Sequence, residues 1–171
     1  MWGVVVHARA EHRFSWWHQG VILFDRTHVF SEGFHEFTEA ASGAWLGQSQ
    51  SRAVTFVSPG GAVFSSEDAP LLVEVLDEPP ELSTDAESVG DFDLLVPSGE
   101  LVMEESGGGG GETVLPLPPG DWRARWSGFG ERAAEEREYS EHSNTGARPD
   151  RYQLQLWPLR SPGPVVLLRG H

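Results

Sequence analysis

Seven histidines invite a metal reading. Five of them, His7, His12, His18, His28 and His35, fall within the first 35 residues, beside Asp25, Glu32 and Glu36. A zinc or iron site takes imidazole and carboxylate ligands from fixed offsets on one face of an element. No two of these histidines are four apart, as on a helix, and none is set two residues from an acid on a strand. His18, between Trp17 and Gln19, is the one best placed to meet a ligand, and the expectation is that the chain holds no metal and no cofactor. Carboxylates offer more. "DFD" puts Asp91 and Asp93 on one strand face, and "LDEPPELSTDAE" (76–87) adds Asp77, Glu78, Glu81, Asp85 and Glu87 just before it. Acidic loops at the end of a β-sandwich can bind calcium, but there is no Asp-x-Asp-x-Asp-Gly pattern. Glycoside cleavage needs two acids about 5–9.5 Å apart in a cleft, and 26 acidic residues make chance pairs easy. Nucleophilic hydrolysis lacks a Gly-x-Ser-x-Gly elbow and any cysteine. "ESGGGGGE" (105–112) is not followed by Lys-Ser/Thr or by a helix, so it is a mobile tip and not a phosphate cradle. A hydrolase or metal enzyme resting on the histidine-rich start is the weakest of the readings carried forward.

The elements that must carry these groups read mostly with a period of two. "GVILFD" (20–25), "RAVTFVS" (52–58), "PLLVEVLD" (70–77), "DFDLLV" (91–96), "ELVME" (100–104), "TVLPL" (113–117), "DWRARWSG" (121–128), "RYQLQLWPL" (151–159) and "PVVLLR" (164–169) are short runs rich in β-branched and aromatic residues. "WGVVVHA" (2–8) and "RFSWW" (13–17) read as two further strands. Turns that offer Pro to fix φ or Gly to reach positive φ punctuate them, as in "SPGG" (58–61), "VPSGE" (96–100) and "LPPGD" (117–121). The spacing predicts an all-β fold, an antiparallel β-sandwich of roughly 8–10 short strands with little helix, in a single domain over 1–171. "GFHEFTEAASGAW" (33–45) has room for a turn or two of helix, and "GERAAEEREYSEH" (130–142) is an exposed loop or short helix within a mobile 130–149 segment.

"GDWRARW" (120–126) tests the reading of charge. Aromatics interleaved with arginines can mark a nucleic-acid surface. Strand alternation instead puts Trp122, Ala124 and Trp126 on one face and Arg123 and Arg125 on the other. In "RYQLQLWPL" it sets Tyr152, Leu154 and Leu156 against Arg151, Gln153, Gln155 and Trp157. The arginines then have the acidic middle of the chain as cross-strand partners. A net charge of −14 opposes binding to a polyanion, so no direct nucleic-acid contact is expected.

That charge is uneven: residues 53–122 carry fifteen acidic side chains and no arginine, and the chain has no lysine at all. The absence of cysteine fits a reducing compartment, and the start of the chain lacks the basic region of a secretory signal, so a cytoplasmic location is expected. No run is long and apolar enough for a spanning helix, and no membrane contact is expected.

Two resemblances follow from particular segments. "LLVEVLDEPPEL" (71–82), "VGDFDLLVPSGEL" (89–101), "LPLPPGDWRARWSGFG" (115–130) and the Asp-Arg-Tyr-x-x-Gln-x-Trp-Pro finish at 150–158 resemble a family of uncharacterised bacterial proteins, which implies a shared fold. "FSWWHQGVILFD" (14–25) and "VLPLPPGDWRARW" (114–126) look like the first strand and the Pro-Gly-Asp strand of the competence protein J family, inhibitors of a DNA-entry nuclease. This second resemblance implies a non-catalytic inhibitor or immunity-type partner of a basic enzyme.

The sequence therefore favours an acidic interaction protein, with Asp77, Glu78, Glu81, Asp85, Glu87, Asp91 and Asp93 meeting a basic protein. The alternative is a β-sandwich that binds a sugar or small polar molecule. Exposed tryptophan rings would line that site, among Trp16, Trp17, Trp45 and Trp157, with Trp16, Trp17 and His18 its core. Adjacent Trp16 and Trp17 cannot both face one core from one strand.

Overall fold

Runs that alternate apolar and polar residues become strands, and those strands bury their apolar faces against each other. The computed structural model describes residues 6–14, 20–27, 37–39, 45–49, 53–57, 69–105, 112–138, 150–163 and 166–169. Among them are twelve strands and one helix: β1 (Val6–Phe14), β2 (Gly20–Asp25), β3 (Phe37–Glu39), β4 (Trp45–Ser49), β5 (Ala53–Val57), β6 (Ala69–Leu76), β7 (Ser88–Val96), β8 (Glu100–Glu105), β9 (Thr113–Pro116), β10 (Gly120–Phe129), α1 (Glu131–Glu138), β11 (Arg151–Pro158) and β12 (Val166–Arg169).

They form two six-stranded sheets, one in the order β1-β6-β11-β10-β7-β12 and one in the order β3-β4-β5-β2-β8-β9. The sheets face each other across one core. Leu71, Val73, Phe92, Leu94, Trp122, Ala124, Trp126, Leu154 and Leu156 of the first sheet meet Val21, Leu23, Leu101, Met103 and Leu115 of the second. Burying one such large side chain contributes about 1.5–3 kcal/mol. Trp126 and Tyr152 pack with ring centres 5.5 Å apart, while the indole N–H of Trp122 donates to the Pro118 carbonyl at 3.2 Å. The all-β sandwich is as the alternation predicts.

Three local readings are corrected. The described ends of the two N-terminal runs, Val6–Ala8 and Arg13–Phe14, belong to one strand, β1, whose body is the polar stretch between them and which pairs along β6 from Val6 to Phe14; residues 2–5 and 15–17 lie outside the described residues. Its half-buried positions, Ala10 and His12, are small or polar, which hid its middle from a search for apolar alternation. The "GFHEFTEAASGAW" segment contributes β3 and the first residue of β4, paired antiparallel, and not a helical turn at those positions. The third correction is topological: β11 runs parallel to β6, so the first sheet is mixed.

That parallel pair has a cause in the chain path. β10 is antiparallel to both β7 and β11, so β6 and β7 run in the same direction with β11 and β10 between them. The segment joining them, Asp77–Glu87, is therefore a crossover and not a hairpin turn. It must travel back about 17 Å along the strands and about 14 Å across three strand spacings. It does so over the outer face of the sheet.

The 96–100 turn is as "VPSGE" suggests. Gly99 sits at a φ of 78°, with its N–H donating to the Val96 carbonyl at 3.1 Å and its own carbonyl accepting from the Leu117 N–H at 2.9 Å. Only glycine takes that conformation without strain.

Candidate functional site

The outer face of the first sheet carries a row of polar side chains at consecutive register positions. Arg9 pairs with Glu74 across β1 and β6, Glu74 with Gln155 across β6 and β11, Gln155 with Arg125 across β11 and β10, and Arg125 with Asp91 across β10 and β7. Signs alternate along the row. The Arg9 guanidinium lies 4.0 Å from the Glu74 carboxylate, which also accepts from the side-chain amides of Gln153 at 2.8 Å and Gln155 at 3.0 Å. Arg125 closes two bonds on Asp91, Nε to Oδ1 at 2.7 Å and Nη2 to Oδ2 at 2.9 Å. One row further along β10, Arg123 meets Asp93 at 2.6 Å.

These pairs are buried because two segments lie over them. Arg125 donates to the carbonyl of Pro80 in the crossover at 3.0 Å, and its guanidinium also stacks on the Trp157 ring at 5.6 Å. The 159–163 segment covers the other pair: Gly163 donates its N–H to Asp93 at 2.8 Å and accepts from Arg123 at 3.3 Å. A cation buried with a bidentate carboxylate and a carbonyl is well satisfied, and removing any one partner leaves the others exposed to desolvation.

The crossover is held at its far end as well. Ala86 packs with Val89 and Phe129 in a small outer cluster, and the Glu87 N–H donates to the Gly128 carbonyl at 2.8 Å. The Glu87 carboxylate accepts the Arg132 N–H at 2.9 Å, capping the first turn of α1, where free N–H groups and the helix dipole favour an anion. Pinned at Pro80, Ala86 and Glu87, the segment offers the rest of its side chains to solvent. Glu78, Glu81 and Asp85 are exposed, and Asp77 is half-buried. Leu82, in the middle of them, is 41% exposed, one of two large apolar side chains so exposed among the described residues.

The seven acids read as one group in the sequence therefore divide into two layers. Glu78, Glu81 and Asp85 face outward, with Asp77 beside them. Asp91 and Asp93 lie in the layer beneath, 8% and 6% exposed and bound to Arg125 and Arg123, where they support the crossover and present no charge to a partner. Glu87 is a helix cap. Glu78 has one exposed basic neighbour, Arg160, at 3.5 Å. Such a pair in water contributes little.

Trp157 is buried, so it presents no ring to a sugar. Trp16, Trp17 and His18 lie outside the described residues, as does the glycine run at 107–111. Of the histidines in the first 35 residues, His7 and His12 are described; burial of His12 pushes its imidazole below the ordinary value, so it is neutral at pH 7. Among the described residues no three His, Asp or Glu side chains come together as metal ligands, and no helix is long and apolar enough to cross a membrane.

Leu82 and the Glu74–Gln153–Gln155 cluster escaped the sequence reading. A lone leucine among the acidic, prolyl and hydroxyl residues of 77–85 was the signal for the first. For the second it was the lone charge inside "PLLVEVL".

Fold and site together define a two-sheet β-sandwich that displays a pinned, acidic crossover on one outer face. Two solved structures share that fold. One is ComJ from Bacillus subtilis, an inhibitor of the DNA degrading activity of NucA, with a TM-score of 0.56, 14% identity, and coverage of 92% of this chain and 99% of that one. The other is the crocagin biosynthetic gene J product, with a TM-score of 0.51, 16% identity, and coverage of 93% and 100%. At these identities the likeness is one of fold. No protein-family model matches the chain, and no curated protein matches it in sequence.

Proposed function

We propose that this protein is a non-catalytic inhibitor that seats its Asp77–Glu87 crossover on the basic, nucleic-acid-binding face of a nuclease. The observation that carries this reading is the crossover itself: exposed carboxylates on a segment fixed from beneath by a buried Arg125–Asp91 pair. Nucleases are basic where they hold phosphates, and an acidic surface fixed in advance reproduces that field without an ordering cost on binding. The fold shared with an inhibitor of a DNA-degrading enzyme supports the same conclusion. So does the charge of −14, which steers a basic partner at long range and repels nucleic acid. The cysteine-free composition suits work in the cytoplasm.

The test is capture of partners from an extract of the native cell on immobilised protein, followed by a DNA-degradation assay on what is captured. The expected result is a basic nuclease whose activity falls as the protein is added, with affinity dropping between low and high salt. Capture of no nuclease, or binding indifferent to salt, overturns the proposal.

A further inference from the structure

Among the described residues β1 lies at the edge of the first sheet, paired on one side with β6. His7, Ala8, Arg9, Glu11 and Arg13 along it are exposed, and Ala10 and His12 are half-buried. An edge strand presents unpaired N–H and C=O groups to any second strand, and proteins commonly blunt such edges with charged side chains, lysine above all. Here the outward-facing side chains alternate in sign, Arg9, Glu11, Arg13, which does not blunt an edge against a strand carrying the same pattern reversed. Such a strand is β1 of a second copy.

We propose that two copies of the chain associate weakly through antiparallel pairing of their β1 strands about a two-fold axis at Ala10. Residues directly opposite in an antiparallel pair share a face, so only registers centred on a residue keep the polar face together. Centring on Ala10 sets Arg9 opposite Glu11 of the second copy, and Glu11 opposite its Arg9, while the two Ala10 positions meet at the axis with nothing bulky between the backbones. Centring on Glu11 sets arginine opposite arginine and glutamate opposite glutamate. Centring on His12 brings two imidazoles together at the axis. The bulge between Val6 and Ala8 ends the regular stretch on one side, so the ladder runs from Ala8 to His12. A ladder of that length with two ion pairs holds a concentration-dependent dimer and not an obligate one.

Sedimentation equilibrium over a concentration series tests this with charge exchange. The wild-type mass should rise with concentration from 18.8 kDa towards twice that value. Arg9→Glu and Glu11→Arg each set like charges opposite at two places and should each weaken association by roughly tenfold or more. An equimolar mixture of the two variants restores opposite signs in both pairs and should associate at least as tightly as the wild type, which also shows that each variant is folded. Arg13→Glu should leave association unchanged. A wild-type protein that stays monomeric throughout, single reversals that associate normally, a mixture that does not recover, or dependence on Arg13 in place of Arg9 would each overturn the proposal.

Discussion

Arg125 grips Asp91 with two parallel bonds of 2.7 and 2.9 Å directly across β10 and β7, and its third nitrogen, Nη1, donates to the backbone of the crossover above. One buried guanidinium thus joins the sheet to the acidic segment. Arg125→Met leaves the Asp91 carboxylate buried without its cation and should destabilise the fold by about 3–5 kcal/mol in urea titrations. Asp91→Leu combined with Arg125→Met removes both charges and should regain most of that loss. If the double variant is as unstable as the single one, the anchoring of Pro80 matters more than the ion pair.

Gly128 lies where β10 passes beneath the start of α1. A Cβ there would fall on the Glu131 carboxylate and within 2.5 Å of Ser88 Oγ, and Glu131 is itself 2% exposed. Gly128→Ala should therefore cost about 1–3 kcal/mol by overpacking. Because the Gly128 carbonyl holds the Glu87 N–H, the same change should speed hydrogen exchange at Glu87 more than at core amides of β7. Uniform exchange across both would separate Gly128 from the crossover.

Asp25 is fully buried at the end of β2. Its Oδ2 accepts from the Ser98 N–H at 2.9 Å and from the Ser98 hydroxyl at 2.6 Å, and its Oδ1 accepts from the Thr27 N–H at 3.0 Å and from the Thr27 hydroxyl. Burial alone raises the pKa of this carboxyl, but the bonds from Ser98 and Thr27 outweigh it, and the net shift is downward. A carboxylate lowered on folding contributes stability above its unfolded value of about 3.9 and loses it as pH falls through the lower folded value. Asp25→Asn should thus be less stable than the wild type at pH 7, and the gap should narrow below about pH 4. A gap independent of pH would assign the loss to shape and not to charge.

The alternation in "DWRARW" and "RYQLQL" was enough to sort Trp122, Trp126, Tyr152 and Leu154 from Arg123, Arg125, Gln153 and Gln155, because a period of two leaves each strand only two faces. The same pattern anticipated that the two arginines would meet acids across a strand. It could not say which acids, since register depends on how far the chain travels between strands. "DEPPE" has the composition of a hairpin turn, and only the placement of β11 and β10 between β6 and β7 makes it a crossover. That single topological fact moves Asp91 from the surface to the layer beneath the crossover, while Asp93 lies under the 159–163 segment. The continuity of β1 between its two ends, both read as strand, was missed for a different reason: Ala10 and His12 in its middle give no hydrophobic signal.

The crossover lets charge and apolar contact be separated in binding to a nuclease. Glu78, Glu81 and Asp85 act at a distance, so replacing all three with glutamine should slow association and flatten the dependence of affinity on salt, with little change in dissociation. Leu82 acts only on contact. An exposed leucine ringed by carboxylates on a fixed segment has the arrangement of an interface anchor with a polar rim, and Leu82→Ala should quicken dissociation and cost about 1–2 kcal/mol of affinity while leaving the salt slope intact. Neither change touches the core, so urea midpoints should stay at the wild-type value. Surface plasmon resonance at several salt concentrations reads all of these quantities. Should the glutamine variant bind with unaltered rate and salt dependence, the acids of the crossover are solvated decoration and the partner meets another face.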